Sequence, residues 1–265
     1  MTGAIPILNS MAGKNRLDVL LVQRGLADSR EKAQAVIMAG AVVVNERPAL
    51  KAGTLVAPDA DIRVLAGPQF VSRGGEKLAH ALDVFSLDVR GLTAIDVGAS
   101  TGGFTDCLLQ RGAARVYAID VGRGQLDWRL RQDPRVVVME GVNARYLESL
   151  PEKAGLATID VSFISLEKVI PPVVRQLREG ARIVALVKPQ FQARREEVGK
   201  GGVVRDPQVH AAVLGRFIGW CAGRGLRLLG LTTSPLLGPA GNKEFLVLLR
   251  PDGPPSGGIP NEAAL

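Results

Sequence analysis

The chain has 265 residues, 46% of them hydrophobic and 22% charged, enough for an enzyme domain with a small companion and an ordinary core. Its 33 Lys and Arg against 26 Asp and Glu leave a formal charge of +7, which favours polyanionic partners, nucleic acid first. The longest apolar run, from Ala35 to Val44, is far short of the ~20 residues of a membrane span. Cys107, Cys221, His80 and His210 are too few and too scattered for a disulfide framework or a zinc site. No metal, no membrane and a cytoplasmic home are therefore expected, and the opening MTGAIPILNSMAGK carries no signal-peptide pattern.

In chain order, residues 1–13 read as a flexible leader. Over 16–26, Leu17, Leu20 and Leu21 share one helical face, and Gly25 closes it. Asp28 with Glu31 three residues on is a capping-box variant, opening a second helix that buries Ala33, Val36 and Ile37 and stops at Gly40. AVVVNERPAL predicts a hairpin with Asn45-Glu46 at its tip, and 62–65 a last short strand. Residues 14–66 thus form a small α+β unit, and 67–75 a linker. From a helix over 76–85 onward, strand and helix alternate. Strands are predicted at 93–97, 115–119, 136–139, 157–160, 182–187, 226–231 and 244–249, and helices at 104–111, 165–177 and 208–222. Strands this apolar argue for a mostly parallel sheet covered on both faces. Only a loop separates the last two strands, so the seventh should return antiparallel beside its predecessor. The expected fold class is α/β: a small α+β domain, then a seven-stranded Rossmann-like domain over 76–250, with 251–265 as a disordered tail.

The strongest signal is AIDVGASTGGFTDCLLQRG, an apolar strand, a glycine-rich turn and a helix. Such a turn offers backbone N–H groups and a helix N-terminus to an anionic group. Gly98 is followed by Ala99, Ser100, Thr101, Gly102, Gly103 and Phe104, so the G-x-G-x-x-G of a dinucleotide fold is absent. Asp96, before the first glycine, would crowd a pyrophosphate but could meet an ammonium. Asp120, ending the second strand ahead of Val121, is placed for ribose hydroxyls. A ligand with an amino group, a carboxylate and a ribose fits, and S-adenosylmethionine is that ligand.

DVGASTGGFTD with VYAIDVGRGQL resembles the opening motifs of the FtsJ-like class I methyltransferases. RLDVLLVQRGLADSREKAQAVIMAG resembles the RNA-binding domain first seen in the fourth small-subunit ribosomal protein. Joined to FVSRGGEKL, TIDVSFISL, ALVKPQF, VGKGGVVRD and GPAGNKEF in this order, they resemble the TlyA family of ribosomal RNA 2′-O-methyltransferases, historically called haemolysins. The resemblance implies a Lys-Asp-Lys-Glu catalytic set, which falls on Lys77, Asp160, Lys188 and Glu244. Strand prediction independently puts the last three at one rim, since ligands bind beyond the carboxyl ends of parallel strands and an antiparallel last strand starts there. Lys77 is placed by the resemblance alone. Singly, each would also serve as a solvated edge residue or a turn cap. A lysine ordinarily titrates near ~10.4, so Lys188 acts as a base only where its surroundings lower that value; orienting the hydroxyl is the less demanding role.

Asn143, after the third strand, stands where this fold meets the adenine, which makes it a cofactor residue with Asp160. Lys200 lies in a long glycine-bearing loop with Arg194 and Arg195 nearby. The first 66 residues carry eight Lys and Arg against six Asp and Glu, no basic block, so RNA contact is read from placement. Lys14 and Arg16 open the first helix, Arg30 and Lys32 the second; Lys51, Arg73 and Lys200 extend the track toward phosphates. The expected function is cytidine 2′-O-methylation of ribosomal RNA or ribosomal subunits by a monomer. A non-catalytic ribosome-assembly factor and a membrane-active haemolysin are the alternatives.

Overall fold

The computed structural model describes residues 13–38, 40–65, 69–238 and 240–252. Nearly all of the expected leader and tail, residue 66 of the expected first domain and 67–68 of the expected linker lie outside them. The chain divides between Gln69 and Phe70 into two units.

In the first unit β1 (Asn15–Arg16) leads into α1 (Leu17–Gln23), then α2 (Arg30–Met38), β2 (Val42–Val44), β3 (Arg47–Pro48), β4 (Leu55–Val56) and β5 (Ile62–Val64). Leu17, Leu20 and Leu21 pack on Ala33, Ile37, Val42, Val56 and Ile62, with Val36 only partly buried. The first helix ends at Gln23, earlier than its apolar pattern suggests. Gly25 turns left-handed at φ +68°, donating to the Val22 carbonyl at 3.0 Å, while Leu26 N–H returns to Leu21 at 2.8 Å. Both bonds satisfy helix-end carbonyls in a Schellman closure. The cap of α2 also differs from expectation. Ser29, not Asp28, accepts from Lys32 N–H, at 3.2 Å, and Asp28 instead pairs with Lys32 Nζ at 2.6 Å. The hairpin forms as predicted, with Asn45 and Glu46 both at positive φ and Val44 opposite Arg47. β1 and β4 pair over two residues each, too short to leave a periodic signal.

The second unit runs α3 (Gly74–Val84), β6 (Thr93–Val97), α4 (Gly103–Gln110), β7 (Arg115–Asp120), α5 (Trp128–Gln132), β8 (Val136–Glu140), β9 (Ala154–Ile159), α6 (Leu166–Val174), β10 (Leu177–Val187), α7 (Pro189–Gln192), α8 (Pro207–Ala222), β11 (Leu226–Thr233) and β12 (Phe245–Pro251). Phe70, within the expected linker, is 3% exposed and belongs to this unit's core. The seven strands lie in the order β11-β12-β10-β9-β6-β7-β8. β12 runs antiparallel to both neighbours, β10 and β11, and the other pairings among β6 to β10 are parallel. Strand residues alternate between two cores. Ile95, Ile183, Ala185 and Val247 pack with α6 and α8, whereas Ala94, Val184, Leu186 and Leu246 pack with α3 and α4. The helix expected to reach residue 177 stops at Val174, because Leu177 pairs with Ala154 as the start of β10.

Register positions the rim. Val97 lies opposite Ile159, Ala185 opposite Ile159 on its other side, and Val187 opposite Phe245. The residues that follow Val97, Ile159 and Val187, and the one that precedes Phe245, are Gly98, Asp160, Lys188 and Glu244. Four strands therefore deliver the glycine turn, two carboxylates and a lysine to a single edge.

Candidate active site

The turn after β6 is shaped by two glycines. Gly98 sits at φ +83°, and a Cβ there would lie 2.3 Å from the Asp160 carbonyl oxygen. No other residue allows so close an approach of the two strand ends. Gly102, at φ +99°, is the left-handed residue that starts α4, and a Cβ on it would strike Leu130 at 2.3 Å. Between them Ser100 donates its backbone N–H to Asp120 Oδ2 at 2.8 Å, and Gly122 N–H reaches Asp120 Oδ1 at 2.7 Å. Asp120 thus ties the ends of β6 and β7 together and keeps acceptor capacity for a ligand.

Two hollows meet at this turn. One, about 480 Å³, is lined by Gly98, Ser100, Asp120, Val121, Asn143 and Asp160, with Gln125, Ser162, Phe163 and Ile164. The other, about 490 Å³, is lined by Ser72, Arg73, Lys77, Ala99, Thr101, Gly103, Phe104 and Leu237, and shares Gly98, Ser100 and Asp160 with the first. Volumes of this size suit a cofactor and part of a substrate. Asn143 also accepts Arg145 N–H at 3.0 Å, capping the short turn at 144–146.

Asp96 departs from its expected place. It is fully buried and lines neither hollow; Thr105 donates to its Oδ2 at 2.7 Å and Thr158 to its Oδ1 at 3.1 Å. Burial pushes its carboxyl up to about 7, with the two threonine hydrogen bonds only partly opposing that. It braces the turn from behind and does not face a ligand, because the pleat alternates side chains and only the strand's end opens to the rim.

The four residues of the expected catalytic set form two ion pairs. Lys188 Nζ lies 2.6 Å from Asp160 Oδ1 and donates to Ser162 Oγ at 2.9 Å. Lys77 donates to Glu244 Oε2 at 2.5 Å, in a pair 8% and 1% exposed. Glu244 Oε1 is a buried acceptor with no hydrogen-bond donor, and Asp160 Oδ1, for all its nearness to the ammonium, takes no well-directed hydrogen bond. The site therefore presents spare acceptors beside two amines, an arrangement that fits a hydroxylated, positively charged ligand and a hydroxyl acceptor.

Residues that motif reading missed surround this set. Ser162 holds Lys188, and Gln125 and Phe163 line the first hollow. Glu140 accepts the Gly124 and Gln125 N–H groups at 2.9 and 3.2 Å and pairs with Arg131. The backbone donor at Gly124 foremost, then Arg131, hold its carboxyl down to about 2. Asn242, 2% exposed, donates to the Gly202 carbonyl at 3.0 Å and accepts Val204 N–H at 2.9 Å, so the glycine-bearing loop with Lys200 is tethered two residues before Glu244. None of these carries a spacing signature, since each acts with groups distant in sequence.

The basic residues expected on RNA are placed unevenly. In the first unit Lys14 and Lys51 are exposed, whereas Arg16 and Arg30 converge on Asp18 Oδ2 at 3.0 and 2.9 Å. Asp18 is fully buried, and the Arg16 guanidinium holds its carboxyl well below the usual range. Arg16 and Arg30 thus secure the domain, with 46% and 52% of each side chain left exposed. Lys32 is occupied by Asp28. In the second unit Arg73 donates to the Leu237 carbonyl at 3.2 Å, and Lys200 is exposed. Among the described residues no group of three or more acidic, His or Cys side chains could hold a metal, and no helix is long and apolar enough to cross a membrane.

Comparison with known proteins agrees with this layout. Residues 70–251 match the FtsJ-like methyltransferase family, and residues 15–62 match the S4 domain. A Bacillus subtilis (strain 168) protein, YqxC, described as a candidate rRNA methyltransferase, is 53% identical over 240 residues, spanning 89% of this chain and 85% of its own. The 16S/23S rRNA (cytidine-2′-O)-methyltransferase TlyA of Mycobacterium tuberculosis is 46% identical over 244 residues, 91% of either chain. A solved structure of a candidate hemolysin from Streptococcus thermophilus is 43% identical with a TM-score of 0.70, over 95% of this chain and 93% of that one. With both domains matched in order, and relatives this similar along nearly their whole length, the chain belongs to the TlyA family, an S4 domain followed by an FtsJ-like methyltransferase domain.

Proposed function

We propose that this protein uses S-adenosylmethionine to methylate the 2′-hydroxyl of a cytidine in ribosomal RNA. The observation that carries the reading is Asp160, which lines both hollows at the glycine turn and pairs with Lys188 at 2.6 Å. When bound, S-adenosylmethionine supplies a methyl group on a sulfonium. Asp120 and Asn143 would hold its ribose and adenine, and the turn from Gly98 to Gly103, with Val121 and Phe104 beside it, would bracket the rest. Asp96 serves by bracing that turn.

A ribose hydroxyl is a poor nucleophile and must share or lose its proton as it attacks. Lys188 Nζ would meet that oxygen, with Asp160 paired to the amine and the buried Lys77–Glu244 pair completing the set. Recognition of RNA falls to exposed cations, Lys14, Lys51 and the free faces of Arg16, Arg30 and Lys32 in the first unit, Arg73 and Lys200 in the second. Such contacts grip shape and phosphate, so the target nucleotide is flipped or already unpaired when it reacts. One chain carries every residue of the site, so a monomer suffices, working in the cytoplasm where ribosomes are. The name and 46% identity of the mycobacterial relative support the ribosomal cytidine as acceptor.

The test is transfer of labelled methyl to separated, unmodified ribosomal subunits, with a Lys188→Ala variant alongside. Label resolved as 2′-O-methylcytidine and reduced by about 100-fold or more in the variant is expected. No label on either subunit or on free RNA, with cofactor binding intact, overturns the reading.

A further inference from the structure

We propose that Ser162 is a positioning residue for Lys188, accepting one N–H of its ammonium while Asp160 attracts the amine as a charge, so that a remaining N–H is left for the acceptor hydroxyl. The proposal rests on methyl transfer at this site and names a residue outside the Lys-Asp-Lys-Glu set.

A lysine ammonium has three donors in tetrahedral directions at the end of a flexible four-carbon stem. A single ion pair would leave it free to swivel about the Nζ···Asp160 axis. The second acceptor, Ser162 Oγ at 2.9 Å, removes that freedom. The directed bond to Ser162, together with the charge of Asp160 beside the amine, restricts where the remaining N–H groups, or the lone pair of a neutral amine, can point.

The turn that carries Ser162 is built to stay in place. Phe163, the next residue, sits at φ +63°, an uncommon conformation for a bulky side chain that persists where surroundings over-determine it. Its ring, though 90% exposed, rests against Phe191 with centroids 4.8 Å apart. Ser165 Oγ meets Gln192 Oε1 at 3.2 Å one turn further on. Phe191 and Gln192 belong to α7, which begins one residue after Lys188. The segment following β9 is thus fastened to the segment following β10, and Ser162 is held against the amine by contacts that do not involve its own hydroxyl. Ser162 is itself exposed and lines the first hollow, so its hydroxyl has no core to stabilise.

The experiment compares the full-length wild-type chain with Ser162→Ala and Ser162→Thr, measuring kcat and KM for the ribosomal RNA acceptor and affinity for S-adenosylmethionine. Ser162→Ala should lower kcat about tenfold with KM and cofactor affinity unchanged, and Ser162→Thr, which keeps the hydroxyl, should recover most of the rate. Wild-type kcat in Ser162→Ala, or a Thr variant no faster than the Ala variant, overturns the proposal. So does a loss that appears in KM or cofactor affinity, which would mark a merely structural turn. A wild-type chain that transfers no methyl at all overturns the methyltransferase reading together with this one, whereas an active wild type with an unchanged Ala variant overturns this one alone.

Discussion

Asp96 sits where a carboxylate is hard to keep ionised, fully buried, with two threonine hydroxyls and the Thr105 backbone as donors and the Asp160 charge nearby. An acid whose pKa rises on folding gives stability that is complete below its unfolded value and is lost as pH climbs to the folded value. For a carboxyl raised from an ordinary value near 4 to about 7, that loss spans pH 4 to 7 and amounts to roughly 4 kcal/mol. Asp96→Asn, which mimics the protonated acid, removes this component. In urea unfolding at pH 4.5 and 7.5, the stability of wild type minus that of the variant should fall by several kcal/mol between the two conditions; an equal difference at both would show that Asp96 stays charged throughout. The same scale separates the lysines. Lys77 lines the second hollow but its partner Glu244 lines neither, whereas Asp160, the partner of Lys188, lines both. That difference is why Lys188, rather than Lys77, is the amine we propose to meet the reacting hydroxyl.

Loops that could wander are held at the scale of elements by side chains that take backbone donors. Glu140, the last residue of β8, accepts N–H groups of Gly124 and Gln125, while Gly141 N–H returns to Gly122 at 3.0 Å. That segment carries Gln125 into the first hollow, where its Oε1 lies 3.4 Å from Ser100 Oγ. Glu140→Ala should therefore weaken S-adenosylmethionine binding about tenfold and speed amide exchange over 122–126, with little change elsewhere in the sheet. Calorimetric titration and hydrogen exchange check the two parts, and unchanged exchange over 122–126 would refute the tether. Asn242 does the same for the loop bearing Lys200, joining Gly202 and Val204 to the strand approach that ends in Glu244.

Across the whole molecule, each unit keeps its own core. The cluster around Leu17, Leu21 and Ile37 draws on first-unit residues alone, and the two that cover the sheet draw on residues from Phe70 onward. A chain starting at Phe70 should unfold cooperatively and bind S-adenosylmethionine with nearly full-length affinity, while methyl transfer to ribosomal RNA falls by about tenfold or more for want of the first unit's phosphate contacts. Calorimetry and the labelled-methyl assay on the truncated chain test this; undiminished transfer would remove the first unit from RNA recognition.

Element identity and order were legible along the chain. Short, nearly continuous apolar runs marked the seven strands, glycines marked the turns, and the strand-end positions of Asp160, Lys188 and Glu244 followed, because these are local properties of a few neighbouring residues. The short segments β1, β4 and α5 left no such trace. Pairing between distant segments was settled only by the tertiary structure. The insertion of β12 between β10 and β11 sets Phe245 opposite Val187 and so brings Glu244 beside the rim and to Lys77, 167 residues away in sequence. Likewise the burial of Asp96, the convergence of Arg16 and Arg30 on Asp18, and the bond from Lys188 to Ser162 depend on which surfaces the fold closes against one another. Sequence by itself determined the parts, the glycine turn and the edge on which the chemistry gathers, since propensity and periodicity act over a turn or a strand. The fold decided which charges face a ligand and which face each other, since burial and register are properties of segments that meet only when the chain has packed.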